Sequence, residues 1–92
     1  MALIVVKKSP ENGISNRLLK VALPSDTILL VQDGVLFAMD KDLESKVTQG
    51  VKLVALKEDF LARGFSEADS SIPLVDYNGW VELLEQNDKV IS

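Results

Sequence analysis

Four apolar, β-branched runs, at residues 3–6, 27–31, 51–56 and 72–75, stand at fairly even intervals along the chain. The segments between them are too long for hairpin turns and carry helical spacing, so strands must alternate with helical crossovers. The first two runs are almost continuously apolar, a pattern that suits parallel strands covered on both faces. Lys52 interrupts the third run and Pro73 sits inside the fourth. Proline removes a ladder donor, so the fourth strand is expected at a sheet edge. The first and third strands are expected at the centre.

The intervening segments supply the helices. Ile14, Leu18, Val21 and Ala22 recur at i, i+4, i+7 and i+8, which predicts one apolar face on a first helix. Leu36, Met39, Leu43 and Val47 predict a second, and residues 58–63 a short third that Gly64 ends in the left-handed conformation. Tyr77, Trp80, Val81 and Leu84 predict a stripe on the last. Ser9-Pro10 reads as a cap followed by a first-turn proline, and Asp76 as the cap of the last helix. Ser66 and Asp69 have the spacing of a local cap or turn. The pattern as a whole predicts an α/β fold: a three-layer α/β/α sandwich on a mainly parallel sheet of about four strands, with right-handed crossovers. Ninety-two residues without a repeat or linker predict one domain over residues 1–92.

Composition narrows the chemistry. The chain has no cysteine and no histidine. Thiolate nucleophiles, disulfides, imidazole bases and the usual zinc and copper ligands are therefore unavailable, and no familiar serine triad can be assembled. No cofactor or metal is expected. Net charge is −4, with both signs mixed along the chain. A nucleic-acid binder usually carries a basic stripe, so direct nucleic-acid binding is not expected. The apolar start at residues 1–6 is short and is followed, not preceded, by Lys7-Lys8, the reverse of a signal peptide. No apolar stretch approaches the ~20 residues needed to span a membrane. A cytoplasmic location is expected.

In open parallel sheets, functional groups gather beyond the carboxyl ends of the strands. Here those ends supply Lys7-Lys8-Ser9, Gln32-Asp33-Gly34, Lys57-Glu58-Asp59 and Asp76-Tyr77-Asn78. Gln32-Asp33-Gly34 reads either as a phosphate or partner loop, or as a helix cap (Asp33) beside a turn glycine (Gly34). A phosphate cradle needs several glycines, which favours the cap. Glu58 and Asp59 sit where acids complement a helix dipole. A phosphoacceptor receiver domain is excluded, because Lys7-Lys8 stands where its acidic pair should be. Phe37 and Ala38 point away from the second helical stripe, so Phe37 beside Val35 either forms an exposed patch for a partner or belongs to a helix buried on a broader face.

Three segments together resemble the DsrH/TusB family: Leu29-Leu30-Val31-Gln32-Asp33-Gly34-Val35, Leu56-Lys57-Glu58-Asp59-Phe60-Leu61-Ala62-Arg63-Gly64, and Val75-Asp76-Tyr77. Lys8-Ser9-Pro10 also matches, and order and spacing agree over nearly the whole chain. The resemblance implies a DsrE-like fold and assembly with DsrE/TusD-like and DsrF/TusC-like subunits into a complex that passes persulfide sulfur between carriers. In one branch that sulfur reaches the wobble uridine of certain tRNAs as a 2-thio group; in the other it belongs to dissimilatory sulfur metabolism. DsrH proteins of sulfur oxidisers carry a cysteine just before a Leu-Lys-x-Ala segment. Here Leu19-Lys20-Val21-Ala22 is preceded by Leu18, so the chain is similar to the cysteine-free TusB type. The expected role is a non-catalytic relay subunit that contacts partners through Gln32, Asp33, Gly34, Val35, Phe37, Asp59, Arg63, Gly64, Asp76 and Tyr77. Arg63, with its planar fork, is the expected cross-subunit ion-pair residue. The alternative is a stand-alone homo-oligomer that binds a small ligand or acts as an interaction module.

Overall fold

The computed structural model describes residues 2–92. Its elements follow in the order β1 (Ala2–Val6), α1 (Gly13–Val21), β2 (Thr27–Leu30), β3 (Lys52–Leu56), α2 (Lys57–Ala62), β4 (Leu74–Val75), α3 (Tyr77–Gln86) and β5 (Lys89–Ile91). Short 3₁₀ helices occupy Gln32–Met39, Leu43–Lys46 and Glu67–Asp69. The strands form one sheet in the order β4-β3-β2-β1-β5, and every neighbouring pair is parallel. β2, not β1 or β3, is the central strand. β4 lies at an edge, as Pro73 requires. The other edge is a fifth strand, whose three residues Lys89-Val90-Ile91 are too few to register as an apolar run.

Alternation along β1, β2 and β3 sorts their side chains between two cores. Ile4, Val6, Ile28, Leu30, Leu53 and Ala55 pack with Leu19, Ala22, Val35, Phe37, Ala38 and Phe60. Leu3, Val5, Leu29, Val31, Val54 and Leu56 pack with Leu83, Trp80 and Val75. One face is thus covered by α1, a 3₁₀ helix and α2, and the other by α3. Chain order explains this asymmetry. From β1 to β4 the chain steps steadily one way across the sheet, and right-handed crossovers keep those connections on one face. The return from β4 to β5 runs the other way and puts α3 on the opposite face.

Three helical readings need correction. α1 begins after Asn12, whose Oδ1 accepts from the Ile14 N–H at 2.9 Å. Ser9-Pro10 is not its cap; the Ser9 carbonyl accepts from the Asn12 N–H in the preceding turn. α1 and its C-cap pack through Ser15, Leu18, Leu19 and Ala22, so Leu18 and Ala22 of the expected stripe hold, while Ile14 and Val21 are exposed. Ser15 can be buried because its hydroxyl donates to the Lys8 carbonyl at 2.9 Å.

The second predicted helix is two 3₁₀ segments, with three residues per turn instead of 3.6. In that winding Gly34 and Phe37 share one row and Val35 and Ala38 the next, and all four are buried. Phe37 is only 3% exposed, which overturns its reading as a surface patch. Leu43 is buried and Val47 packs against the core, whereas Met39 is exposed. On α3, Leu83 enters the core and Trp80 packs against it, but Tyr77, Val81 and Leu84 remain exposed.

Candidate functional site

Because the strands are parallel, the loops after β1, β2, β3 and β4 emerge at one end of the sheet, beyond the carboxyl ends of the strands. The β2 loop turns sharply there. Gln32 adopts a left-handed backbone with φ 51°, an uncommon state for a residue with a β-carbon. Its N–H donates to Asp59 Oδ2 at 2.6 Å, a charge-assisted bond that holds the strained turn against the first turn of α2.

Gly34 follows. Its N–H lies 3.2 Å from the Lys7 carbonyl and 2.9 Å from the Val31 carbonyl, so the loop rests against the end of β1. A β-carbon at Gly34 would sit 2.1 Å from the Val6 carbonyl oxygen. Glycine is required here for close backbone approach, and Gln32, not Gly34, carries the left-handed turn. Val35 then plugs the core beneath.

Asp33 is not a cap: it lies inside the 3₁₀ helix, whose N-cap is Val31 and has no side-chain cap bond. Its Oδ1 accepts from Arg63 Nε at 3.3 Å and Nη2 at 3.1 Å. Arg63 Nη1 donates to the Asp59 carbonyl at 3.1 Å. The ion pair expected between subunits is therefore made within the chain, and the whole guanidinium fork is engaged. Gly64, at φ 86°, ends the helical turn as expected. Asp76 also behaves as read: its Oδ1 accepts from the Gly79 N–H at 2.8 Å and caps α3. Ser66 and Asp69 form their local cap, with the Ser66 N–H donating to Asp69 Oδ2 at 2.8 Å.

Glu58, read from the sequence as an acid that complements the helix dipole, also makes a tertiary contact. Its Oε2 accepts from the Tyr77 N–H at 3.3 Å and so ties α2 to the start of α3. Glu58 Oε1 and Trp80 Nε1 are buried without a partner. Nothing in the sequence pairs Glu58 with Tyr77, nineteen residues away. Nearby, Lys57 pairs with Glu67 at 2.6 Å, and that hydrogen bond holds the Lys57 ammonium above its usual pKa.

The motif residues of the β2 loop and α2 thus satisfy one another. Together with the Glu58 bond and the Asp76 cap, they make a laced rim across the strand ends. Among the described residues, no group of three or more histidine, cysteine, aspartate or glutamate side chains is placed to hold a metal ion. A cleft of about 190 Å³ opens beside the end of β1, lined by Val5, Lys7, Lys8, Ile14, Ser15, Leu18 and Ser92. A larger one of about 460 Å³, between Glu44 and Leu53, shares no residue with the rim. No described helix is long and apolar enough to cross a membrane.

A five-stranded parallel sheet sandwiched between helices, with its strand-end loops laced by Gln32, Asp33, Asp59 and Arg63, defines a small α/β/α domain of the DsrE-like class. A sequence model of the family described as DsrH like protein matches residues 8–90, and the chain belongs to that family. It is 41% identical to Protein TusB of Escherichia coli K12, the match covering 72% of this chain and 73% of that protein. Protein TusB of Serratia proteamaculans is 34% identical with 98% of both chains covered. Among solved structures, protein Tm0979 from Thermotoga maritima is 38% identical, with a TM-score of 0.77 over 94% of this chain and 93% of that one. A second solution structure of that protein, with a TM-score of 0.67, describes it as a proposed sulfur transferase.

Proposed function

We propose that this chain, as one domain over residues 1–92, is a non-catalytic subunit of a cytoplasmic sulfur-relay complex. Its partners would be DsrE/TusD-like and DsrF/TusC-like subunits, and its pathway 2-thiolation of the tRNA wobble uridine. The observation that carries this reading is the chemistry of the rim. Asp33, Asp59 and Arg63 are bonded to one another and to backbone, not held open around a ligand. A rim of that kind presents a fixed shape, which suits recognition by a partner.

The sequence has no cysteine, so no residue of this chain can carry a persulfide. Sulfur would ride on a partner's cysteine, and this chain would shape the surface around it. Gln32, Asp33, Gly34, Asp59, Arg63, Gly64, Asp76 and Tyr77 set that shape, with Val35 and Phe37 supporting the β2 loop from within. The kinship to TusB proteins and to a proposed sulfur transferase supports the same role.

Light scattering tests it, on the chain alone and then mixed with the DsrE-like and DsrF-like proteins of its own source. The expected result is a stable mixed complex that incorporates the chain. Indifference to both paralogues would overturn the reading. A rise in melting temperature with a small ligand would then favour the alternative, a stand-alone homo-oligomeric binding module that uses the cleft beside β1.

A further inference from the structure

α3 joins the molecule by one side. Leu83 and Trp80 pack on the sheet, while Tyr77, Val81 and Leu84 follow one another at i, i+4 and i+7 along the neighbouring flank. They are 52%, 52% and 42% exposed. Val90 extends this apolar surface at the sheet edge. It pairs in register with Leu3, whose side chain lies under α3, so both point to the same face. Val90 is 49% exposed. The Tyr77 ring stacks on Trp80 with centroids 6.3 Å apart, which fixes one end of the stripe.

The charges on α3 decide what fits it. Glu85 borders the stripe and Glu82 stands beyond it on the solvent face, both exposed, and α3 has no lysine or arginine. A second copy laid against it would bring two acidic helices together with no basic residue on either, and that like-charge juxtaposition is unfavourable. An anionic bilayer would be repelled for the same reason. The net charge of −4 acts in the same direction at longer range.

We propose that the flank of α3 formed by Tyr77, Val81 and Leu84 is a docking surface for a protein whose own apolar stripe is bordered by lysine and arginine. This rests on the relay-subunit reading for the partner's identity and adds where that partner sits. Tyr77 stands at the rim end of the stripe, so a partner seated there also reaches the laced loops. Apolar contact supplies the affinity, and Glu82 and Glu85 set orientation and association rate.

Two variants at exposed positions test it: Val81→Asp, and the double change Glu82→Lys with Glu85→Lys. Both should fold, with melting temperatures close to the parent's. Each is expected to weaken the mixed complex with the paralogues by roughly tenfold or more, the charge variant losing most at low salt. A complex that tolerates both variants would overturn the docking site and leave the relay reading intact.

A chain that dimerises alone through this flank, and becomes monomeric on Val81→Asp, would also overturn the proposal. If no complex with the paralogues forms, the relay reading falls and a second measurement decides the surface. A helical peptide with leucines on one face and lysines along both borders is titrated into the chain and followed by NMR, beside its glutamate-bordered counterpart. Shifts at Tyr77, Val81 and Leu84 with the lysine peptide alone sustain the proposal; equal or absent binding of the two rejects it.

Discussion

Individual residues in this chain differ sharply in how much they can change, and the two kinds of glycine illustrate why. A β-carbon at Gly34 would collide with the backbone of β1, which has no flexible end to move aside. Gly34→Ala should therefore cost about 3 kcal/mol or more, or prevent folding altogether. Gly13, at the start of α1, has nothing within 4 Å of the added carbon. Gly13→Ala should be neutral or stabilise by up to about 1 kcal/mol, because the unfolded chain loses freedom. Urea denaturation of the two variants makes the comparison directly.

Asp26 supplies a pH-dependent contact. It accepts from the N–H groups of Leu23 at 3.0 Å and Ala2 at 2.9 Å, and these bonds hold its carboxyl below the usual value of 3.8. A depressed carboxyl stabilises the fold above its unfolded value, and that contribution disappears as pH falls through the lower folded one. The urea midpoint of Asp26→Asn should lie below the parent's at pH 5, and the gap should close as pH falls below about 4. A constant gap would dissociate Asp26 from the acid response.

At the scale of elements, the sheet was far more legible in the sequence than the helices. Continuous apolar runs mark strands covered on both faces, and β1, β2 and β3 are that. β5 was missed because an edge strand of three residues with one charged member carries no such signal. The helical stripes misled for two physical reasons. Period-3.6 counting assumes an α-helix, but residues 32–39 wind as a 3₁₀ helix, which rotates Phe37 inward. Counting apolar residues also passes over Ser15, which is buried by virtue of its hydrogen bond, and selects exposed Ile14 in its place. On α3 the selected stripe is real but, Trp80 apart, faces outward, because one helix turned toward a sheet buries little more than its narrow contact line.

The candidate site was half legible. Its members were identifiable from their places after the strands and from the family resemblance. Their partners were not, since Asp33 and Arg63 stand thirty residues apart and only the fold brings them together. Phe37 gives the clearest contrast between the two readings. Phe37→Ala should destabilise the chain by about 3–5 kcal/mol, because it empties a packed core position. A surface residue would lose less than about 0.5 kcal/mol, so thermal unfolding separates the two.

For the whole molecule, the two faces of the sheet carry unequal cover, and the docking surface proposed above lies on the thinner side. The same topology places β5 beside β1, with Ala2, Leu3 and Ile4 paired to Lys89, Val90 and Ile91. A chain stopped after Asn87 should lose about 2 kcal/mol, equivalent to a melting temperature lower by roughly 8–16 °C, and should aggregate through the uncovered edge of β1. Calorimetry and light scattering on that shortened chain would register both effects. The pairing also has a consequence for the order of folding. β1 is an interior strand, yet its outer neighbour is far away in sequence: Leu3 pairs with Val90 across eighty-seven residues of chain. An intermediate that joins β1 to β4 before β5 docks therefore displays a bare, apolar strand. A chaperone that shields β1 in that interval would raise the yield of folded protein without touching the finished molecule.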